Sequence, residues 1–358
     1  MSDQAQGLRA LADQARRDQS GPSPYPACVP EDTSTNHSAH SADIHPFASS
    51  PTTPVVESGM ALADARLHWP GADETARQKA ARPRARVIAV TSGKGGVGKT
   101  NFSTNLALTL ARAGQRVIVI DADLGLANLH VVLGIAPSYH LEHVMRGEKS
   151  LREILYPGPG GIQVIGGGSG ITELANLDEQ TRRRFVTGLH ELDSLADIIL
   201  IDTGAGLSRN VLAFLCAVEE IVVLTTPEPT AITDAYATIK VVSQENRRAR
   251  VMLVVNMAQS EAEAEAVANK IRLISLQFLG RDLDILGSIP QDPAVARAVR
   301  AQQPFALSQP QSAATRSVGQ IAAQLGYQPA SARPHGGVSG FLDQMQRFFG
   351  FRAQGSRS

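Results

Sequence analysis

The chain has 358 residues, and its 34 lysines and arginines are balanced by 34 aspartates and glutamates. That balance removes the basic excess that would argue for a nucleic-acid partner, and the two cysteines, Cys28 and Cys216, supply neither a disulfide framework nor a C-x-x-C pair. Ser2 to Gln6 are polar, so no secretory signal is expected, and no run of about 18 apolar residues is present to span a membrane.

The first predicted element is an amphipathic helix over residues 1–19. Ser2 can cap it, Asp3 suits its positive end, and Gly21-Pro22 stops it. Ala5, Leu8, Leu11, Ala12 and Ala15 form one apolar face. Residues 20–84 are rich in Pro, Ser and Thr and poor in apolar side chains, which predicts a disordered linker. His37, His40 and His45 stand in this polar, disordered tract, where chance spacing outweighs a metal site. Arg82, Arg84 and Arg86 read as the solvated end of the linker.

From 85 to 328 apolar runs alternate with amphipathic segments. Strands are expected at 86–91, 117–121, 162–165, 197–201, 220–225, 251–255 and 284–287. This alternation predicts an α/β fold, a doubly wound, mostly parallel sheet with helices on both faces. A flexible linker over 329–339, with Pro334 and Gly336, and an amphipathic helix over 340–352 complete the chain.

The segment Thr91 to Thr100, TSGKGGVGKT, matches the phosphate-loop pattern G-x-x-x-x-G-K-[ST]. It lies between the apolar run Arg86 to Val90 and a helix expected over 101–113. Glycines at Gly93, Gly95, Gly96 and Gly98 let successive backbone N–H groups, Val97 included, turn toward one anion. The following helix presents its positive end to the same phosphates. Lys99 would reach the β- and γ-phosphates, and Thr100 would hold Mg²⁺. Asp202 follows four apolar residues and so ends a buried strand, where open α/β sheets bind ligands.

Lys94 directly follows the first glycine, and the loop GKGGVGKT resembles the deviant phosphate loop of the MinD/ParA family of P-loop NTPases. The likeness continues through RVIVIDADLG (116–125), IILIDTGAG (198–206), VVLTTPEPTAITDAY (222–236), VVNM (254–257) and GSIPQD (287–292). It implies an ATPase that uses ATP and Mg²⁺ and forms an ATP-dependent homodimer with itself. Lys94, Lys99 and Asp123 would be the catalytic set, with Lys94 acting on the partner's phosphates and Asp123 orienting water. Thr100, Asp121 and Asp202 would form the metal shell. Asp123, Gly204 and Gly206 would belong to the switches. Nucleotide contacts would come from the loop, Asn101, Asn256, Pro290 and Asp292.

Asp3-Gln4-Ala5-Gln6-Gly7-Leu8-Arg9 resembles the D-Q-A-x-x-L-R element of the FlhG/FleN family of flagellar number regulators. There Asp3, Gln4, Ala5, Leu8 and Arg9 would stimulate an FlhF-type GTPase. A flagellar transcriptional regulator and switch-complex (C-ring) proteins are further implied partners. A division-site regulator of the MinD type is the alternative, followed by a ParA-type DNA-segregation protein, against which the neutral charge counts.

Four of the ten phenylalanines fall in the last 18 residues. At about 100° per residue, Phe341, Leu342, Met345, Phe348 and Phe349 share roughly a third of a helix circumference. Such a helix would lie in the plane of an anionic membrane surface, reversibly, on the cytoplasmic side. The competing expectation is that it folds back onto its own domain in the nucleotide-free state. ATP-driven release would reconcile the two.

Overall fold

In the first strand, β1 (Arg86–Ser92), Val87 and Ala89 enter one apolar cluster while Ile88 and Val90 enter another. The alternation is the period of a pleated strand, and with both faces buried it marks the centre of a two-sided sheet. The computed structural model describes residues 84–123, 128–167, 188, 191–326 and 337–348. The helix expected over 1–19, nearly all of the 20–84 linker, and Phe349 lie outside the described residues.

After β1 come α1 (Lys99–Arg112), β2 (Val117–Ala122), α2 (Leu129–Leu133), α3 (Leu141–Met145), β3 (Tyr156–Pro157) and β4 (Gln163–Ile165). The next pairs are β5 (Ile198–Ala205) with α4 (Arg209–Ala217), and β6 (Glu220–Thr225) with α5 (Pro229–Glu245). Then follow β7 (Arg250–Ala258), α6 (Glu261–Leu279) and β8 (Asp284–Pro290). Helices α7 (Pro293–Arg300), α8 (Phe305–Ser308), α9 (Ala313–Gly326) and α10 (Gly337–Phe348) close the described chain.

The strands run in the order β3-β4-β2-β5-β1-β6-β7-β8, parallel throughout except for β3 against β4. One face carries α3, α4, α5, α6 and α10. The other carries α1, α2, α7, α8 and α9. The expected doubly wound sheet is therefore present. β5, β7 and β8 extend three or four residues beyond the expected ends, because their last residues keep pairing around the site. β3 was not expected; two residues carry no periodicity.

Local signals explain the helix ends. Ser260 accepts a hydrogen bond from the Glu263 N–H, Glu263 accepts one from the Gln259 N–H, and Gly280 closes α6 in the left-handed region. Ser208 caps α4 in the same manner. Arg86 departs from its expected solvated role. Its guanidinium donates to both oxygens of the buried Glu220 at 2.9 and 2.8 Å, tying β1 to β6. A buried carboxylate needs such a forked partner.

Helix α10 begins at Gly337 rather than 340. Val338, Phe341, Leu342 and Met345 are buried in the core of the first face, and Phe348 packs beside them half-buried. Phe341 stacks on Phe214 of α4, with ring centroids 6.3 Å apart. The apolar stripe is thus covered by α4 and β1, which is the folded-back arrangement. Asp193 Oδ1 accepts hydrogen bonds from the Ala85 N–H at 3.0 Å and the Val338 N–H at 3.4 Å. Among the described residues, no helix is long and apolar enough to cross a membrane.

Candidate functional site

Strand β1 lies between β5 and β6, and the chain winds outward from it in both directions. The loop leaving β1 opens at the carboxyl ends of these strands, which is the usual crevice of such sheets. Ser92 Oγ donates to the Lys94 carbonyl at 2.8 Å and sets the loop's first bend. A Cβ on Gly93 would overlap the backbone of Asp234 in α5. Gly98 sits at φ 88°, and a Cβ there would lie 2.5 Å from Asn256 Nδ2. These two glycines are required by close approach and by a left-handed turn, not merely by flexibility.

Gly98 occupies the N-cap position of α1 and offers no side chain to the first N–H groups of the helix. Those donors and the helix dipole therefore face the crevice. The two lysines of the loop behave oppositely. Lys99 is buried and acts electrostatically on Asp202. Lys94 is 40% exposed and donates to Glu228 Oε2 at 2.6 Å and Thr230 Oγ1 at 3.1 Å.

Asp121 and Asp202 are paired in register across β2 and β5, and both are buried. Burial pushes the Asp202 carboxyl up, opposed by Lys99 and by the hydroxyls of Thr100 and Ser103. Ser103 Oγ donates to Asp202 Oδ1 at 2.9 Å. Burial likewise pushes Asp121 up, to about 7, and Asp202 adds to the push. The N–H groups of Asp123 (3.1 Å) and Leu129 (3.2 Å) partly offset this. Two facing carboxylates of this kind leave a negative pocket that a cation would relieve. Asp123 lies at the mouth, and a Cβ on Gly204 would stand 3.5 Å from its Oδ1. Gly206 N–H donates to the Ser92 carbonyl at 2.9 Å, so the end of β5 is fastened to the start of the phosphate loop.

Asn256 is at the site but is engaged, with Nδ2 donating to the Val97 carbonyl at 2.8 Å. Asn101 is half-buried in the first turn of α1. Pro290 ends β8, opposite Ala258. Asp292 is committed elsewhere. Its Oδ1 accepts from the Ala294 N–H at 2.8 Å and its Oδ2 from the Ala314 N–H at 3.1 Å, capping α7 and bracing the start of α9. A base contact from Asp292 itself would have to come from its backbone. Four residues at the site were not expected from sequence: Ser103, Glu228, Thr230, and Met257, whose Cε would lie 3.3 Å from a Cβ on Gly98. Ser103 carried a usable signal, since it is one helical turn beyond Lys99.

Residues 88–305 match the model of the CobQ/CobB/MinD/ParA nucleotide binding domain. The chain is 37% identical over 260 residues to the antiactivator FleN of Pseudomonas aeruginosa, covering 73% of this chain and 93% of that one. It is 35% identical over 270 residues to the flagellum site-determining protein YlxH of Helicobacter pylori, covering 74% and 91%. The fold superposes on the septum site-determining protein MinD of Pyrococcus horikoshii OT3, solved with Mg-ADP, with a TM-score of 0.56. That match spans 68% of this chain and 96% of the other; at 24% identity it is a likeness of fold.

Proposed function

Because the chain belongs to the CobQ/CobB/MinD/ParA nucleotide-binding family, we propose that it is an ATP-dependent, dimerising ATPase that cycles on the membrane and regulates flagellar number or placement. The observation that carries this reading is the contrast between two lysines in one phosphate loop, Lys99 buried toward Asp202 and Lys94 at the open side. In this reading one cation serves the loop's own nucleotide and the other serves a second copy.

Mg²⁺ fits the donor set of Thr100, Asp121 and Asp202, whose facing carboxylates both rise toward the protonated state. When bound, it would neutralise charge on the phosphate oxygens. The loop N–H groups and Lys99 bind the phosphates. Asp123 holds the attacking water in line. Gly204 and Gly206 let the backbone follow the γ-phosphate, and the Gly206–Ser92 hydrogen bond carries that movement back to the loop. With one Asn256 amide N–H held by Val97, its Oδ1 is the atom left to accept from the amino group of adenine.

The flagellar role rests on the FleN and YlxH relatives and on the element Asp3 to Arg9. We assign to that element the stimulation of an FlhF-type GTPase, and to α10 a reversible hold on anionic lipid once ATP frees it from α4. A flagellar transcriptional regulator and C-ring proteins are the further partners of this reading. The deciding experiment is a GTPase assay of FlhF with a peptide spanning residues 1–20. Strong stimulation supports the flagellar reading. No stimulation, with intact ATP turnover by the full chain, would favour a division-site regulator of the MinD type.

A further inference from the structure

Helix α6 (Glu261–Leu279) carries two apolar stripes where a surface helix needs one. Ala264, Val267, Ala268 and Ile271 are buried against the sheet. On the opposite side Ala262, Ala266, Asn269, Leu273 and Leu276 are all exposed, and they follow one another in alternate steps of four and three. That is the spacing of a seam that packs against a second helix. Leu273 is 64% exposed, the most of any large apolar side chain among the described residues, and Leu276 is 49% exposed. Helix α6 lies on β7 and β8, and β8 ends the sheet, so a partner can approach from outside.

The charges beside the seam select the partner. Glu263 and Glu265 flank its first half, Lys270 and Arg272 its second. A second copy of α6 laid antiparallel, with Leu273 over the partner's Ala262, brings Glu265 to the partner's Arg272 and Glu263 to the partner's Lys270, each twice by symmetry. The same register sets Asn269 against the partner's Ala266, so bulk meets space along the seam. A parallel pair would stack alanine on alanine at two levels and set Arg272 against the partner's Gln277. Two of the four charges are already posed by their own chain. Arg272 donates to Asp282 at 2.6 and 2.8 Å, and Glu263 accepts the Gln259 N–H at 2.7 Å. Little further freedom is lost when they pair. Asn269, polar in an apolar seam, fixes the register and keeps the contact reversible. We infer that the outer face of α6 is a docking surface for a second copy of this chain, joined α6 to α6 in antiparallel. The contact uses none of the residues of the phosphate-loop crevice and needs no nucleotide, so it stands whether or not the ATP-dependent dimer forms. Where both form, each chain holds two others through two different faces, and dimers join into rows.

Sedimentation equilibrium of the nucleotide-free full chain tests this. The parent should form a reversible dimer. Leu273→Ser should weaken it by at least about tenfold, and Glu265→Lys by about fivefold. Both positions are exposed, so melting temperatures should not change. The register is read by disulfide formation in a Cys28→Ser background. Ala262→Cys and Leu273→Cys chains, mixed and oxidised, should cross-link to each other and not to themselves. A parent that sediments as a monomer at about 1 mM, where even a millimolar contact is substantially formed, would overturn the inference. So would a dimer that Leu273→Ser leaves unchanged, since the contact would then lie elsewhere. A mixture that cross-links no better than either variant alone would overturn it as well.

Discussion

Lys94 Nζ lies 2.6 Å from Glu228 Oε2, so the lysine assigned to a partner's phosphates is held by its own chain. The pair is exposed on both sides, at 40% and 63%, and an exposed ion pair contributes only about 0–1 kcal/mol. On the proposed role in trans, it is a light restraint that Lys94 would have to leave first. Glu228→Gln should therefore tighten the ATP-bound dimer by no more than about fivefold, with the melting temperature unchanged. Sedimentation equilibrium in an Asp123→Ala background, where hydrolysis is expected to be blocked, reads this directly. A weaker dimer would mean that Glu228 serves the closed state as well.

The two lysines and Asp123 should fail in three distinct ways. Lys99→Ala removes the buried cation facing Asp202, and ATP binding should drop below calorimetric detection. Lys94→Ala should bind ATP as a monomer and neither dimerise nor hydrolyse. Asp123→Ala should dimerise with ATP and stay closed. If size-exclusion profiles with ATP were the same for the last two variants, this division of labour would be wrong.

Stability of the nucleotide-free protein should depend on pH through Asp121. Its carboxyl is pushed up to about 7, first by burial and then by Asp202, from an ordinary value of 3.8. Between those values the folded state holds a proton that the unfolded chain releases. Stability from this group is therefore fully present below about pH 4 and is lost as pH rises toward about 7. Melting temperature should decline across that window, and Asp121→Asn should flatten much of the decline. An identical slope in the variant would place the titrating group elsewhere.

The docking of α10 can be weakened from the receptor side. Phe214 stacks on Phe341, and Phe214→Ala should loosen the tail helix without touching its own apolar stripe. Liposome sedimentation without ATP should then rise above the parent's. Phe348→Glu, and a truncation after Gly340, should abolish sedimentation with ATP. Equal sedimentation of full-length and truncated chains would remove α10 as the anchor.

Gln4→Ala and Arg9→Ala should leave ATP turnover intact while removing stimulation of the FlhF-type GTPase. Altered ATP turnover with no change in that stimulation would make the element a regulator of its own chain.

The phosphate loop was legible because its chemistry depends on backbone shape, and glycine spacing records backbone shape directly. Asp202 was legible because it follows an apolar run, although β5 continues to Ala205, and Asp121 was picked out by the resemblance of RVIVIDADLG to a family segment. Side chains whose partners are distant in sequence were not. Glu228 is 134 residues from Lys94, and nothing local shows that it would hold the lysine. Asp292 sits in a stretch that resembles a nucleotide loop, yet its carboxylate is taken by two helix starts that only the packed chain brings together. The tail helix is ambiguous for another reason. A stripe of phenylalanine, leucine and methionine satisfies a membrane surface and a protein groove equally well, so sequence could name both destinations without choosing.

Asp193 offers one oxygen to the backbone entering β1 and to the backbone starting α10. The start of β1 and the start of α10 thus meet at a common corner, Ala85 and Val338 sharing one acceptor. On the proposed lipid role of α10, a tail that reached the bilayer from this corner would draw the start of β1 toward it.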